Sequence, residues 1–592
     1  MMQNLIRLIA VVVICSTGVL MGQERDQNAL RQQATKLYQQ ENYAEAEKIF
    51  RQLLQLPLSL SGPEAQWKDF LQAASCLEAI NQSEAIEELL EQMLLKGENS
   101  WYLKWRLAEY ILGQDDSGYL LEGKFYRGWS RNSGRWLRVG ESDRRRALQL
   151  FHQAMLLLQK SPAEDSQSRA DFFCAFAIAF LGRTGRSLAD DCPYSLASAA
   201  WRLQNLSDLS CVPAWDSAEN EEVEIAGAPA EDDGLPVFYA LPAAFEQAVN
   251  DGERFRWLLQ QAAECTPRGN CQAKLILANY SCSLYGTQTL QDYFHLFPDS
   301  SEEEQERTAG LLALQTLEDD ETVARLANGV RRFRLPQDYN FLALYSDVLE
   351  RSQAVPDWPT ERQAQILRRL AKIQENRHQP ARALSWWQRY ARLRPEEGQR
   401  QVEKITGRWA TFLPVRMQVF GDEIAVELRF RNATSAEFQL FRLDLPGIIN
   451  EVEARILAGD RKNLNRNFAD LGSWLLEKGN EKFIGAKVKD WSEQLSPAAG
   501  HRDKVVRISV PLPAPGAYWL VCKLPGGNIS RIPVLAQEHL LFTKKLQQEV
   551  LWQVCKARDG SAAANTKLQI LVWDVHWDQR QRKTMLVHQR YT

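Results

Sequence analysis

A chain of 592 residues is longer than one hydrophobic core can organise, and at about 100 to 200 residues per domain it calls for several domains. Hydrophobic residues make up 45%, charged residues 25%, and the net charge is -4, so the composition is that of a globular protein and excludes a charge-driven nucleic-acid partner. At the N-terminus, Arg7 precedes the uncharged run LIAVVVICSTGVLMG, which is too short for an ordinary membrane span and suits a secretory signal over residues 1–22, with an uncleaved anchor as the alternative. Export to the periplasm, the cell envelope or the medium is the expectation.

Beyond Cys15 lie nine cysteines, an odd number, among which Cys192 with Cys211 and Cys265 with Cys271 are the sequence-near candidates for pairing. No Cys/His spacing suggests zinc, and the alternative is that most are small buried apolar residues.

From residue 27 onward apolar positions recur at helical spacing. Leu30, Ala34, Leu37, Tyr43, Ala46, Phe50 and Leu53 return 40 residues later as Phe70, Ala74, Leu77, Ser83, Ile86, Leu90 and Met93. That spacing predicts two helices per repeat, their inner faces marked by these residues and their close approach allowed by the small alanines. With Pro57 closing the second helix, the first unit resembles a tetratricopeptide repeat. The pattern returns at a displacement of 337 residues as Leu367, Ala371, Gln374, Pro380, Ala383, Trp387 and Tyr390, which predicts one α-solenoid over 27–213 and 236–410. Leu30, Ala34, Leu37, Tyr43, Ala46, Phe50, Leu367, Ala371, Ala383 and Trp387 are the predicted repeat-packing residues.

A third unit that opens at Trp101, Trp105 and Ala108 is interrupted by residues 113–142. There Arg127, Arg131, Arg135 and Arg138 interleave with Phe125, Tyr126, Trp129 and Trp136, a pattern that grips polyanions or, as favoured here, straps a helical surface. Residues 214–235 carry Asp216, Glu219, Glu221, Glu222, Glu224, Glu231, Asp232 and Asp233 among Ala, Gly and Pro, which predicts a solvated acidic linker. Helices are expected at 243–265, 271–285 and 301–317, the last opened by a capping box of Ser301 and Glu304.

At Val415 the period changes to two. Val415, Met417 and Val419, then Ile424, Val426, Leu428 and Phe430, alternate with polar residues about Gly421-Asp422, which predicts a hairpin. A third strand follows at Glu437 to Leu443, helix is expected over 459–496, and strands resume in VVRISVPL, GAYWLVCKL and SRIPVLA. The whole reads as one antiparallel β-sandwich over 413–536. Strands at 540–543, 549–555, 567–573 and 584–588 read as the start of a second sandwich over 537–592, whose remaining strands are expected beyond Thr592.

The runs RFRNATSAEFQLFRLDLP, PAPGAYWLV with SRIPVLA, and HLLFTKKLQQEVLWQVCKARDGSAAANTKLQIL resemble the opening macroglobulin-type domains of bacterial alpha-2-macroglobulins, through an arginine-asparagine strand pair, a Gly-x-Tyr strand, and a strand followed by a Gly-containing turn. Ser561-Ala562-Ala563 departs from the proline that commonly follows that glycine. The resemblance implies the front of a protease trap whose bait region and thioester lie downstream. A thioester needs Cys-x-Glu-Gln, and the nearest string here, Cys76-Leu77-Glu78-Ala79, lacks the glutamine.

No HExxH, GxSxG, GxxxxGK[ST] or GxGxxG motif occurs, and seven histidines are scattered. Asp574, His576 and Asp578 alternate on one strand, where a solvated face is favoured over a metal site. The expectation is therefore a non-enzyme without cofactor, catalytic or metal-binding residues, and without a nucleic-acid or small-molecule partner. It would be the scaffold portion of an exported protease inhibitor whose helical repeats contact proteins, or alternatively an envelope repeat scaffold or adaptor.

Overall fold

Apolar residues spaced three to four apart drive the first half of the chain into helices, each burying one stripe. The computed structural model describes residues 26–82, 84–128, 134–160, 165–182, 193–215, 227–290, 310–415, 417–457, 471–547, 549–578 and 583–591, so the expected signal at 1–22 lies outside the described residues. The chain forms two compact units, residues 1–292 with 317–366, and 293–316 with 367–592.

The first unit opens with α1 (residues 26–39), α2 (Tyr43–Gln55), α3 (Pro63–Ala79), α4 (Glu84–Lys96) and α5 (Trp101–Leu112). Arg31 grips Asp69 with Nη2 to Oδ2 at 2.8 Å, and the Tyr38 and Ser75 hydroxyls meet at 2.9 Å, so α1 lies along α3. Buried Gln66 donates to the carbonyls of Leu53 and Leu56, tying α3 to the end of α2. A chain of aromatic contacts fills the next layer, between α5, α6 (Gly140–Lys160) and α7 (Ser166–Phe180): Phe172 meets Trp105 edge-on at 5.9 Å, and Phe151 stacks on Phe176 at 5.1 Å. After α8 (Pro193–Arg202) come α9 (Asp251–Cys265) and α10 (Pro267–Tyr285), started by Asn250 accepting from the Glu253 amide and Thr266 from the Gly269 amide.

The interruption at 113–142 contains a small sheet of order β2-β1-β3, built from β1 (Ser117–Leu121), β2 (Lys124–Arg127) and β3 (Arg135–Arg138).

Within 214–235, the described acidic residues Glu231, Asp232 and Asp233 are exposed. Residues 216–226 lie outside the described residues, but the stretch that follows is held in place. Ala228 is buried and bridges Leu326, and Trp201 Nε1 donates to the Gly227 carbonyl at 2.9 Å. Tyr239 lies so close over the start of α9 that a Cβ at Gly252 would fall 2.2 Å from its ring. A ring of buried phenols secures the segment: the Tyr239 amide donates to Tyr339 Oη at 3.0 Å, and Tyr285 Oη donates to the Val237 carbonyl at 3.0 Å. The described acidic side chains thus face solvent, while the apolar and aromatic residues around them hold the backbone in place.

The helical reading of 236–410 is also too simple. Helix α9 starts at Asp251 rather than residue 243, residues 310–320 are turns around a single 3-10 turn (Leu314–Thr316), and residues 301–309 lie outside the described residues. An antiparallel hairpin of β4 (Glu321–Leu326) and β5 (Gly329–Arg334) follows, in which Leu326 faces Gly329. Asn328-Gly329 beside alternating apolar residues is a strong hairpin signal that helical periodicity on either side masked. Helix α11 (Phe341–Arg351) then precedes α12 (Thr360–Asn376), within which the boundary between the units falls.

In the second unit α12 is followed by α13 (Pro380–Ala391) and α14 (Pro395–Thr406). A Cβ at Gly398 would lie 2.4 Å from the Ala391 backbone, so α13 and α14 approach to glycine distance. Two sheets come next. One has the order β10-β9-β12-β13-β7 and the other β11-β8-β6. Their strands are β6 (Trp409–Phe412), β7 (Gln418–Val419), β8 (Ala425–Arg431), β9 (Ser435–Leu443), β10 (Ile484–Gln494), β11 (Lys504–Ser509), β12 (Gly516–Lys523) and β13 (Ile529–Gln537). Their inward faces share one core, including Val426, Leu428, Phe430, Phe438, Leu440, Ile508, Tyr518 and Leu520.

The expected hairpin at Val415 is absent. Strand β7 pairs in parallel with β13, while β8 pairs with β6 and β11. The two segments are joined by a side chain: Gln418 accepts from the Ala425 amide and donates to its carbonyl. The helical reading of 459–496 also fails at its end, because β10 occupies 484–494 as an edge strand whose charged alternate residues hid its period. Helix lies earlier, in α15 (Leu445–Leu457), and again in the short α16 (Leu471–Leu475). Ile448, Trp474 and Leu475 cover the outer face of the five-stranded sheet against Trp519 and Val521. Thus β12 is buried on both faces, which explains its nearly continuous apolar run.

The described residues of 537–592 form two small antiparallel sheets. Strands β14 (His539–Lys545) and β15 (Val550–Lys556) form one two-stranded sheet, and β16 (Ile570–Asp578) and β17 (Lys583–Tyr591) another.

Candidate protein-contact site

The predicted repeat-packing residues all lie within helices. Ala34, Ala46, Phe50, Leu367, Ala371, Ala383 and Trp387 are buried, and Leu30, Leu37 and Tyr43 are half-buried. Trp387 meets Tyr390 edge-on at 5.4 Å and donates from Nε1 to Glu375 at 2.8 Å, so its polar edge is satisfied. Between the two repeat-like stretches, the β1–β3 sheet, the extended 227–250 segment and the β4–β5 hairpin interrupt the helical pairs.

In the β1–β3 insertion, Arg127 binds Asp143 at 2.6 Å and Glu87 at 3.2 Å, so its charge is neutralised against α6 and α4. Trp136 meets Tyr119 edge-on at 4.9 Å within the sheet, and Trp129 and Arg131 lie outside the described residues. This arrangement straps the insertion to the helices.

Burial raises the Cys76 thiol to about 11 and that of Cys522 to about 12, so neither supplies a thiolate near neutral pH. Cys265 and Cys271 are both free thiols, against the pairing considered from their spacing; Cys192 lies outside the described residues. Among the described residues no group of three or more His, Cys, Asp or Glu side chains is arranged to hold a metal ion, and the side chains of Asp574, His576 and Asp578 lie outside them. Among the described residues, too, no helix is long and apolar enough to cross a membrane.

The motif residues of the sandwich have identifiable physical roles. Asn432 sits at φ +57°, a left-handed conformation that asparagine tolerates, and its Nδ2 donates to the carbonyls of Ile405 (2.8 Å) and Gly407 (3.0 Å). Arg431 donates to the Lys404 carbonyl at 3.2 Å and binds Asp503 at 2.6 Å, while His501 Nδ1 lies 2.9 Å from Asn432 Oδ1. The end of β8 therefore satisfies carbonyls left unpaired at the C-terminus of α14 and fixes that helix to the sandwich. In β12, Tyr518 Oη donates to the Ala514 carbonyl at 2.8 Å, and the Arg442 guanidinium lies over its ring.

Sequence reading missed the amides that join the two sheets. Asn528 donates to the Ala410 carbonyl and accepts its amide, both at 2.8 Å, and Ser530 Oγ accepts the Phe412 amide at 3.1 Å. Their partners lie more than a hundred residues away, so no local spacing marks them. At the opposite edge, where β10 and β11 end their sheets, a groove of about 530 Å³ opens beside Phe420, Lys489, Trp491, Glu493 and Leu512.

Comparison with known proteins gives little to set beside this geometry. No family model matches the chain, and no curated protein matches it. Among solved structures, native alpha-2-macroglobulin from Escherichia coli aligns as a fragment spanning domains MG0-NIE-MG1, with 11% identity over 31% of this chain and 57% of that one, at a TM-score of 0.20. A fragment spanning domains NIE-MG1 aligns with 12% identity over 31% of this chain and 86% of that one, also at a TM-score of 0.20. This chain thus spans just over half of the longer fragment, and similarity at that score carries no argument about fold or function.

Proposed function

We propose that the chain is a non-enzymatic protein-binding scaffold, the macroglobulin-type portion of an exported protease trap, in which tetratricopeptide-like helical pairs contact proteins. The observation that carries this reading is the grip of Arg431 and Asn432 on the end of α14, since the residues that carry the family resemblance join a helical hairpin to a sandwich. The Gly516-Ala517-Tyr518 strand adds to it by anchoring Tyr518 within the core. Reactive chemistry belongs elsewhere in such a protein, because the high Cys76 pKa and the missing glutamine leave this chain without a thioester of its own.

The reading frame downstream of codon 592 tests the proposal. A bait segment and a Cys-x-Glu-Gln loop there support the trap, whereas a frame that continues without them turns the reading to an envelope scaffold or adaptor. Incubating the present chain with a protease, followed by denaturing electrophoresis, is expected to give no shifted band; a covalent adduct would show that this chain carries the reactive group.

A further inference from the structure

The two sheets of the sandwich differ in width, and the difference leaves a gap at one edge. The amide of Val510 donates to the Ile424 carbonyl at 2.8 Å, which places the even-numbered residues of β11 in register with β8. By antiparallel alternation, the backbone groups of Val505, Arg507 and Ser509 point away from β8, and β11 ends its sheet. Across from this edge, Lys489, Trp491 and Glu493 line the groove from β10, with Val510, Pro511 and Leu512 opposite and the Phe420–Ile424 turn at one end. Trp491 stacks on Phe438 at 5.2 Å and is only half-buried. Phe420, Val506 and Leu512 also pack against the core while only partly buried, so among the described residues the apolar interior reaches the surface at this seam.

We propose that the seam is a binding site for an extended peptide segment of a partner protein, which adds as a fourth strand beside β11. Main-chain pairing would use the outward groups of Val505, Arg507 and Ser509, and alternate apolar side chains of the peptide would cover Trp491 and Leu512. The groove's charges select the occupant's chemistry: Asp422, Glu423 and Glu493 face a single Lys489, so the favoured segment alternates apolar and basic residues. The Ser509 hydroxyl donates to Glu423 at 2.7 Å, which leaves Asp422 and Glu493 to discriminate by charge. This inference rests on the reading of the chain as a protein-binding scaffold, and it is independent of whether that scaffold serves a trap.

The test is fluorescence anisotropy on the full chain with labelled peptides of about ten residues: alternating Lys-Val, alternating Glu-Val, and Lys-Val with alternate backbone nitrogens methylated. The Lys-Val peptide is expected to bind, the Glu-Val peptide to bind at least about tenfold more weakly, and the methylated peptide to lose binding because it cannot pair as a strand. Trp491→Ala should weaken binding about tenfold or more. Because that change also removes a ring packed on Phe438, Asp422→Lys with Glu493→Lys provides an exposed pair of substitutions that should invert the preference between the two peptides. Equal binding of the methylated peptide, indifference to the charge reversal, no binding by any peptide, or occupation of the seam by a second copy of the chain would each overturn the proposal. The last would appear in sedimentation as a dimer abolished by the charge reversal. None of these outcomes depends on protease inhibition, so failure here is distinguishable from failure of the trap reading.

Discussion

Asn432 combines a backbone role with a side-chain role, and the two can be separated. Glycine keeps the positive φ and loses the amide, whereas alanine loses the amide and also resists the left-handed conformation, at a cost of about 1 to 2 kcal/mol. Each lost hydrogen bond adds about 0.5 to 1.5 kcal/mol. Stability should therefore fall in the order parent, Asn432→Gly, Asn432→Ala, and hydrogen exchange in the last turn of α14 should quicken in both variants. Thermal melts that place alanine level with the parent would remove the junction's energetic role. Glu141 supplies a second test. Burial pushes its carboxyl up, but hydrogen bonds and charge from Arg144, with a further bond from Arg145, outweigh burial and hold it below its ordinary 4.5. A depressed carboxylate contributes stability that is present above pH 4.5 and lost as the pH falls through the folded value. Glu141→Gln should therefore lower stability near neutral pH and flatten the acid side of the stability curve; an unchanged acid limb in denaturant titrations would show that the pair does not couple to folding.

Among the elements, what could be read from the sequence depended on how one-sided each surface is. Helices α1 to α4 bury one stripe and expose the other, so their period shows directly in Ala34, Ala46 and Phe50. Strand β8 alternates in the same way, with Val426, Leu428 and Phe430 inward. Strand β10 has an edge position and mostly exposed residues, so no period of two marks it and its sequence predicts helix. Pairing partners were harder still, since the choice of β13 rather than β8 as the neighbour of β7 depends on residues such as Gln418 acting across the sequence. The groove was not legible at all: its lining comes from the β7–β8 turn, β10 and the end of β11, which only the fold brings together. For the helical half, Ala46 gives a direct check. Its side chain is fully buried, so Ala46→Trp should overpack the contact and cost about 1 to 3 kcal/mol, read as a lower melting temperature. A variant that melts like the parent would mean that this helix face is free.

Across the whole molecule, stability should be unevenly distributed, and the contrast is sharpest on either side of Gln537. Before it, β6 to β13 close around one core, and side chains such as Leu428, Phe438, Leu440 and Tyr518 are wholly buried. After it, β14 and β15 form a two-stranded sheet to which Ala562 adds a bridge at Cys555, leaving Phe542 and Leu551 each 55% exposed on one face and Leu541, Val550 and Trp552 exposed on the other. An apolar side chain left in water forgoes about 1.5 to 3 kcal/mol relative to full burial, and a lone two-stranded hairpin is marginal in water. Limited proteolysis should therefore cut first within 538–550 and release a fragment ending near Gln537 that resists further digestion. Phe542→Ser with Leu551→Ser should reduce self-association at high concentration while leaving the melting of the 409–537 sandwich unchanged. If the hairpin resists protease as long as the sandwich does, or if the double substitution lowers the sandwich's own melting temperature, its exposed faces must be covered in solution, and the two parts must fold as one.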